Sequence, residues 1–220
     1  MLVVLGMTAF AWSTSGQEND FGGWYSATIN REVLKDVDVS VSPELRFFDN
    51  HSRLDSWILE TDVAYKLNNF LKFGGLYRYS VDFTDPDANE RKHRWGLYGK
   101  LSYRLKPIDI SYRCLFQQEY SNYYSSPNGT VPENVWRNKV QIKYDRKKQD
   151  WAPYAYAEMF YTAFPEWKEG RQKLRLSTGI EYKINKEFDL SVGYLMNKEI
   201  GVANPMTTHV IAVNIAFDWK

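Results

Sequence analysis

One cysteine, Cys114, stands in a chain of 220 residues, so no internal disulfide can form. In register with Ile108, Ile110, Tyr112 and Phe116, its thiol reads as a small apolar face residue rather than a nucleophile. Charge of one sign is equally lacking. The 28 basic and 27 acidic residues leave a net charge of +1, without the clustered positive excess that nucleic acid requires. Long apolar runs are missing too: Leu2–Trp12 is too short to cross a bilayer as a helix. No helical periodicity appears anywhere. Histidine is confined to His51, His93 and His209, and no cluster has metal-ligand spacing, so neither a metal nor another cofactor is expected.

What is abundant is aromatic surface and strict alternation. Aromatic residues make up 16% of the chain, with 16 Tyr and 8 Trp, side chains that are apolar at one end and wet at the other. From Lys173 to Met196 the apolar set Leu174, Leu176, Ile180, Tyr182, Ile184 alternates with polar residues. After Asn185-Lys186 the alternation resumes with Phe188, Leu190, Val192, Tyr194 and Met196, which is a tight antiparallel hairpin. The unit repeats: Tyr65, Tyr103, Tyr144 and Tyr182 each close a strand before polar turn residues, roughly 40 residues apart. Taken in order, strands are expected over 24–33, 37–45, 57–67, 71–81, 94–105, 108–119, 135–144, 151–161, 173–184, 188–196 and 209–219. Pro153 weakens the eighth near its start, where a missing ladder bond costs least. Long connections are expected over 49–56, 84–92, 120–134, 163–170 and 198–208, and short ones between.

Strands of about ten residues, short turns at one end and longer loops at the other describe an outer-membrane barrel. Volume points the same way. Eight strands are just filled by their own side chains, so a larger apolar interior would need a filling helix or a large ligand, whereas a polar interior holds water and ion pairs. Tyr65, Tyr103, Tyr144 and Tyr182 fall at one rim and Trp57, Trp95 and Trp136 at the other, as interfacial girdles require. The expected fold is therefore all-β: a single antiparallel up-and-down transmembrane β-barrel of about 10–12 strands with short periplasmic turns and longer external loops. Residues 1–16 are expected to be a signal peptide ending at small residues, with a frayed or buried amino-terminal strand as the other reading, and 17–220 the barrel. Membrane lipids and, during insertion, the barrel-assembly machinery would be its partners. Eleven strands are an odd number, so either Gln17–Asp20 threads back through the lumen or the count is off by one.

Several spaced motifs carry a family resemblance: Gln17-Glu18-Asn19-Asp20-Phe21-Gly22, Glu44-Leu45-Arg46-Phe47 with Ser52-Arg53-Leu54-Asp55, Tyr77-Arg78-Tyr79, His93-Arg94, Tyr112-Arg113, Arg137-Asn138-Lys139 and Pro153 through Tyr161. Together they resemble the bacterial family catalogued as domain of unknown function 2490. The resemblance implies an outer-membrane β-barrel with no assigned activity.

On the polar face, toward the long-loop rim, alternation aligns Arg46, Glu60, Arg78, Arg94, Arg113, Arg137, Glu158 and Arg175. Arginine forks pair bidentately with carboxylates, so this set is either a salt-bridge network closing the lumen or an arginine-lined constriction that selects anions. Catalysis would need a nucleophile beside a base. No serine shares a strand face with His209, and His51-Ser52 lies in a loop with no evident partner, so the chain is read as a non-enzymatic barrel. It would serve as a narrow pore for small solutes or as a structural or binding barrel. A lipid-modifying enzyme and a soluble barrel around a hydrophobic ligand are the alternatives.

Overall fold

Wherever apolar and polar residues take turns, the chain is extended, and the turns between are set by residues that bend it at little cost. The computed structural model describes residues 19–83, 89–122, 125–126, 129–130, 133–146, 149–163, 172–202 and 205–219; the expected leader, 1–16, lies outside them. The strands are β1 (Asn19–Leu34), β2 (Val37–Phe48), β3 (Arg53–Lys66), β4 (Leu71–Asp82), β5 (Glu90–Leu105) and β6 (Ile108–Ser121). A two-residue pair follows, β7 (Ser125–Ser126) with β8 (Gly129–Thr130). Then come β9 (Glu133–Tyr144), β10 (Trp151–Thr162), β11 (Gln172–Lys183), β12 (Phe188–Ile200) and β13 (Thr207–Trp219). The eleven long strands form one closed barrel in chain order.

Closure is where the sequence expectation needs correcting. Every seam is antiparallel except the last, where β1 and β13 run parallel from Asn19↔Thr207 to Arg31↔Trp219. An odd strand count makes the first and last strands point the same way, and a parallel ladder satisfies their edges as completely as an antiparallel one. The count of eleven is therefore right, and Asn19 and Asp20 belong to β1 instead of threading the lumen; Gln17 and Glu18 lie outside the described residues.

Two short turns share one device. Asn68 accepts hydrogen bonds from the backbone N–H of Phe70 (2.8 Å) and Leu71 (2.9 Å), and Asn185 does the same for Glu187 (2.8 Å) and Phe188 (2.9 Å). An asparagine side chain that mimics the next turn of backbone is what fixes these hairpins. Pro153 faces outward beyond the start of the β10–β9 ladder, which begins at Tyr154↔Lys143, so its missing N–H breaks nothing there.

At the other rim the expected connection 49–56 is wrong. The turn spans only Asp49–Ser52, with Asp49, Asn50 and His51 at φ of 53°, 54° and 67°. Asp and Asn tolerate this left-handed region, and His51 is held there by Phe21, Phe47 and the Tyr25 hydroxyl. The other strands also run past their expected ends: β5 starts at Glu90, β6 reaches Ser121, β9 starts at Glu133 and β12 reaches Ile200. Runs of polar residues carry the strands on at this rim, and polar runs without an apolar face are indistinguishable from loop by alternation alone.

The two faces are inverted relative to a water-soluble core. Outward-facing Leu97 and Ile180 are 62% and 51% exposed, while inward-facing Glu158 and Ser56 are each 2% exposed. Aromatics band the outer wall at both ends. Near the short turns stand Tyr65, Phe70 against Tyr103, Tyr182, Phe188 against Phe217, and Trp219. Near the long loops stand Trp57 against Tyr79, and Trp95, Phe116 and Trp136 in series. Trp57 and Tyr65, Trp95 and Tyr103, and Trp136 and Tyr144 are each separated by the same number of residues. That interval spans roughly 27 Å along a strand and about 20 Å along the barrel axis at a tilt near 40°, close to the height of a lipid-facing band.

Candidate functional site: a charged layer across the lumen

Inward positions of successive strands bring all eight sequence-predicted residues into the lumen, where they divide into two groups. The first is a set of separate pairs. Glu60 and Arg78 are direct cross-strand partners on β3 and β4, and Arg78 donates to Glu60 at 2.7 Å. Arg94 on β5 donates from two of its nitrogens to Glu119, its partner on β6. Arg46 donates to Glu44, two residues back on the same face of β2, at 2.5 Å, and its guanidinium lies 4.0 Å from the Trp24 ring centre. Glu44 and Glu119 are the members that the sequence reading missed. Glu44 was legible from its spacing to Arg46; Glu119 needed the β5–β6 register.

In the second group one carboxylate takes three guanidiniums. Glu158 on β10 accepts from Arg137 in a fork (Nε to Oε1 3.1 Å, Nη2 to Oε2 3.0 Å) and from Arg113 Nη2 at 3.0 Å, with Arg175 Nη1 at 3.5 Å. Arg137 also donates to Gln117 Oε1 (3.1 Å), and Arg175 to Asn197 Oδ1 (2.7 Å). The Phe160 ring is held between the two, 4.6 Å from Arg137 and 5.0 Å from Arg175. Aromatic faces attract guanidinium and exclude water, so Phe160 and Trp24 strengthen the pairing around them. Both aromatics point into the lumen, where they serve the charges and not the outer girdles.

The set lies toward the long-loop ends of the strands, where alternation put it: Arg46, Arg78, Arg94, Arg137, Glu158 and Arg175 stand within a few residues of those ends, and Glu60 and Arg113 lie nearer mid-strand. Below the layer, toward the short turns, the lumen opens into a vestibule of about 890 Å³ whose lining includes Asn30, Asp38, Ser40, Asp62 and Lys72. Lys72 binds Asp38 there at 2.8 Å.

Such a layer of buried, paired charges inside an eleven-stranded wall invites comparison with known proteins. A family model described as protein of unknown function, DUF2490, matches residues 21–204. The chain belongs to that family. No curated protein matches the DUF2490 chain in sequence. Among solved structures it is similar to the NanC porin, with 14% identity over 80% of this chain and 86% of that one, at a TM-score of 0.48. The translocator domain of the autotransporter NalP from Neisseria meningitidis shows 12% identity over 81% and 72%, at a TM-score of 0.44. Outer-membrane expressed OmpT of Vibrio cholerae shows 11% identity over 74% and 54%, at a TM-score of 0.41.

The histidines of the DUF2490 barrel lie on the outer wall near the long-loop rim, apart from the lumen layer. Each meets a tyrosine hydroxyl: His51 with Tyr25 at 2.9 Å, His93 with Tyr77 at 2.7 Å and His209 with Tyr194 at 2.5 Å. The partner of His51 was invisible in the sequence because Tyr25 is brought to it by the β1–β2 ladder. Among the described residues no group of three or more His, Cys, Asp or Glu could hold a metal ion.

Proposed function

We infer that the protein resides in the bacterial outer membrane as a narrow, anion-preferring barrel, non-enzymatic, whose paired charges restrict the lumen to small solutes. Support for the location comes from the outer wall. Leaving a side chain of leucine size in water forgoes about 1.5–3 kcal/mol. More than a dozen such residues, among them Leu97, Leu101, Val140, Ile142, Ile180 and Val192, are exposed on that wall, so an apolar surrounding is worth tens of kcal/mol by the same measure.

The preference for anions rests on one observation: Arg113, Arg137, Lys139 and Arg175 surround a single carboxylate, Glu158. Rings of fixed positive charge select anions in pores, and pairing keeps the same charges tolerable at low dielectric. Purified protein in planar bilayers should give small unitary currents whose reversal potential in a salt gradient lies on the chloride side. Cation selectivity would overturn the reading. Absence of any current at every voltage would do so too, and would leave a barrel closed by its ion pairs, which the complete pairing of the eight residues also supports.

A further inference from the structure

Across the strands, the ladders align Lys66↔Lys72, Lys72↔Lys100, Lys100↔Arg113, Arg113↔Lys139, Lys139↔Glu158 and Glu158↔Arg175 as direct partners on β3, β4, β5, β6, β9, β10 and β11. Strands in a closed barrel are tilted, so a row along the ladder bonds climbs the wall. This one starts at Lys66, the last residue of β3 beside a short turn, and reaches Arg175 close to the long-loop end of β11. Lys72, its second member, lines the vestibule.

The row is out of balance where a second charged row of the lumen is not. Like charges placed directly opposite destabilise a ladder, and here four successive pairs are like-charged. Third in line above it on the inner face, beyond the rows through Ala64 and Asp62, that second row reads Glu60↔Arg78↔Arg94↔Glu119, and each guanidinium there has its own carboxylate. In the basic row Asp38 takes Lys66 (3.1 Å) and Lys72 (2.8 Å), and Glu158 takes Arg113 and Arg175. Lys100 and Lys139 form no ion pair among the described residues; Lys139 rests 3.8 Å from the centre of the Tyr156 ring. Between them, the Nε of Arg113 is buried with no hydrogen-bond partner, a donor left over in a place where orphans are expensive. The nearby carboxylates are engaged elsewhere: Asp62 accepts from the Tyr98 hydroxyl (2.9 Å), and Glu181 is bonded to Lys143.

We propose that Lys100, Arg113 and Lys139 form a binding site for a dianionic oxyanion of the phosphate class, reached from the vestibule past Lys72. Two uncompensated ammonium groups match two negative charges, and the free Nε–H supplies a directed hydrogen bond of the kind that orients a phosphate oxygen. Inorganic phosphate and a phosphate monoester share this chemistry.

The site deepens the anion-preferring reading, but it is tested by binding in detergent, without current. Calorimetric titration with sodium phosphate and with glycerol phosphate, at fixed ionic strength in chloride, should show saturable binding of at least one. The stronger of the two identifies the source. Lys139→Gln and Lys100→Gln should each weaken that binding about tenfold, as expected for one charge-assisted contact. In chloride alone both variants should unfold at a higher temperature than the wild type, because a repulsion has been removed. The site is wrong if neither phosphate binds the wild type. It is wrong too if Lys139→Gln lowers the unfolding temperature in chloride while leaving phosphate affinity unchanged, since the lysine would then be structural. Binding without conductance would uphold the site and refute the pore; conductance without binding would do the reverse.

Discussion

Glu158 is the side chain whose removal the lumen should tolerate least. It is 2% exposed and accepts from Arg113 and from two nitrogens of Arg137, with Arg175 Nη1 at 3.5 Å. Replacing it with Ala leaves three guanidiniums facing one another beside Phe160, while the other carboxylates of the layer, Glu44, Glu60 and Glu119, are each held by an arginine of their own. Breaking a buried pair by removing one partner costs about 3–5 kcal/mol. The cost should fall at the upper end here, because three cations lose a partner at once. For a chain of this size that corresponds to a fall in unfolding temperature on the order of 10 °C. Glu158→Gln keeps the volume and one acceptor oxygen, so it should lose less packing but nearly as much charge balance. The assay is thermal unfolding of the purified barrel in detergent, read as the loss of its fast-migrating band on an unheated gel. If both variants keep the wild-type transition, the pairing is ornamental and the layer does not hold the barrel together.

Val140→Arg on the outer wall, midway between Trp136 and Tyr144, should destabilise by about 2–4 kcal/mol in a bilayer, and Leu97→Arg, close to the Trp95 girdle, by less, measured by denaturant unfolding in vesicles; no penalty at Val140 would place this wall in water. Ser26→Cys with Asn214→Cys, partners across the parallel seam, should form a disulfide under mild oxidation, seen as a mobility shift reversed by reductant. Failure to cross-link while Ser26→Cys bonds a cysteine elsewhere on β13 would refute the register. Unheated protein from an outer-membrane fraction should run faster than boiled protein, and identical mobilities would refute a stable closed barrel.

The fold was legible because strand alternation has a period that no helix shares, and because turn residues recur at nearly constant intervals. The rim aromatics and the polar phase of each strand followed from the same period, and so did the membership of Arg46 through Arg175 in one lumen. Partnership did not follow. Alternation says which face a residue occupies, whereas which side chain it meets depends on register: Glu119 meets Arg94 because of the β5–β6 ladder, and Tyr25 meets His51 because of β1–β2. The sense of the closing seam was hidden for a different reason. Strand parity is countable, but only the closed barrel shows that an odd count ends in a parallel ladder.

Register also separates the two roles that composition alone left tangled. In the row through Glu60, Arg78, Arg94 and Glu119 the charges cancel locally, which is what a wall needs in order to be held closed. In the row through Lys72, Lys100, Arg113 and Lys139 they do not: Asp38 and Glu158 offset Lys72 and Arg113, and the repulsion left at Lys100 and Lys139 is what the proposed anion would relieve. Glu158 sits where the two demands meet, as the one carboxylate of the basic row and the anchor of Arg137. A structural network and an anion-selecting constriction are therefore not competing descriptions of the same eight residues. On the proposed reading the balanced row would hold the lumen narrow and the basic row, with Lys100 and Lys139 in no ion pair among the described residues, would set the sign of what it attracts, so a substitution that affects one without the other should separate stability from selectivity.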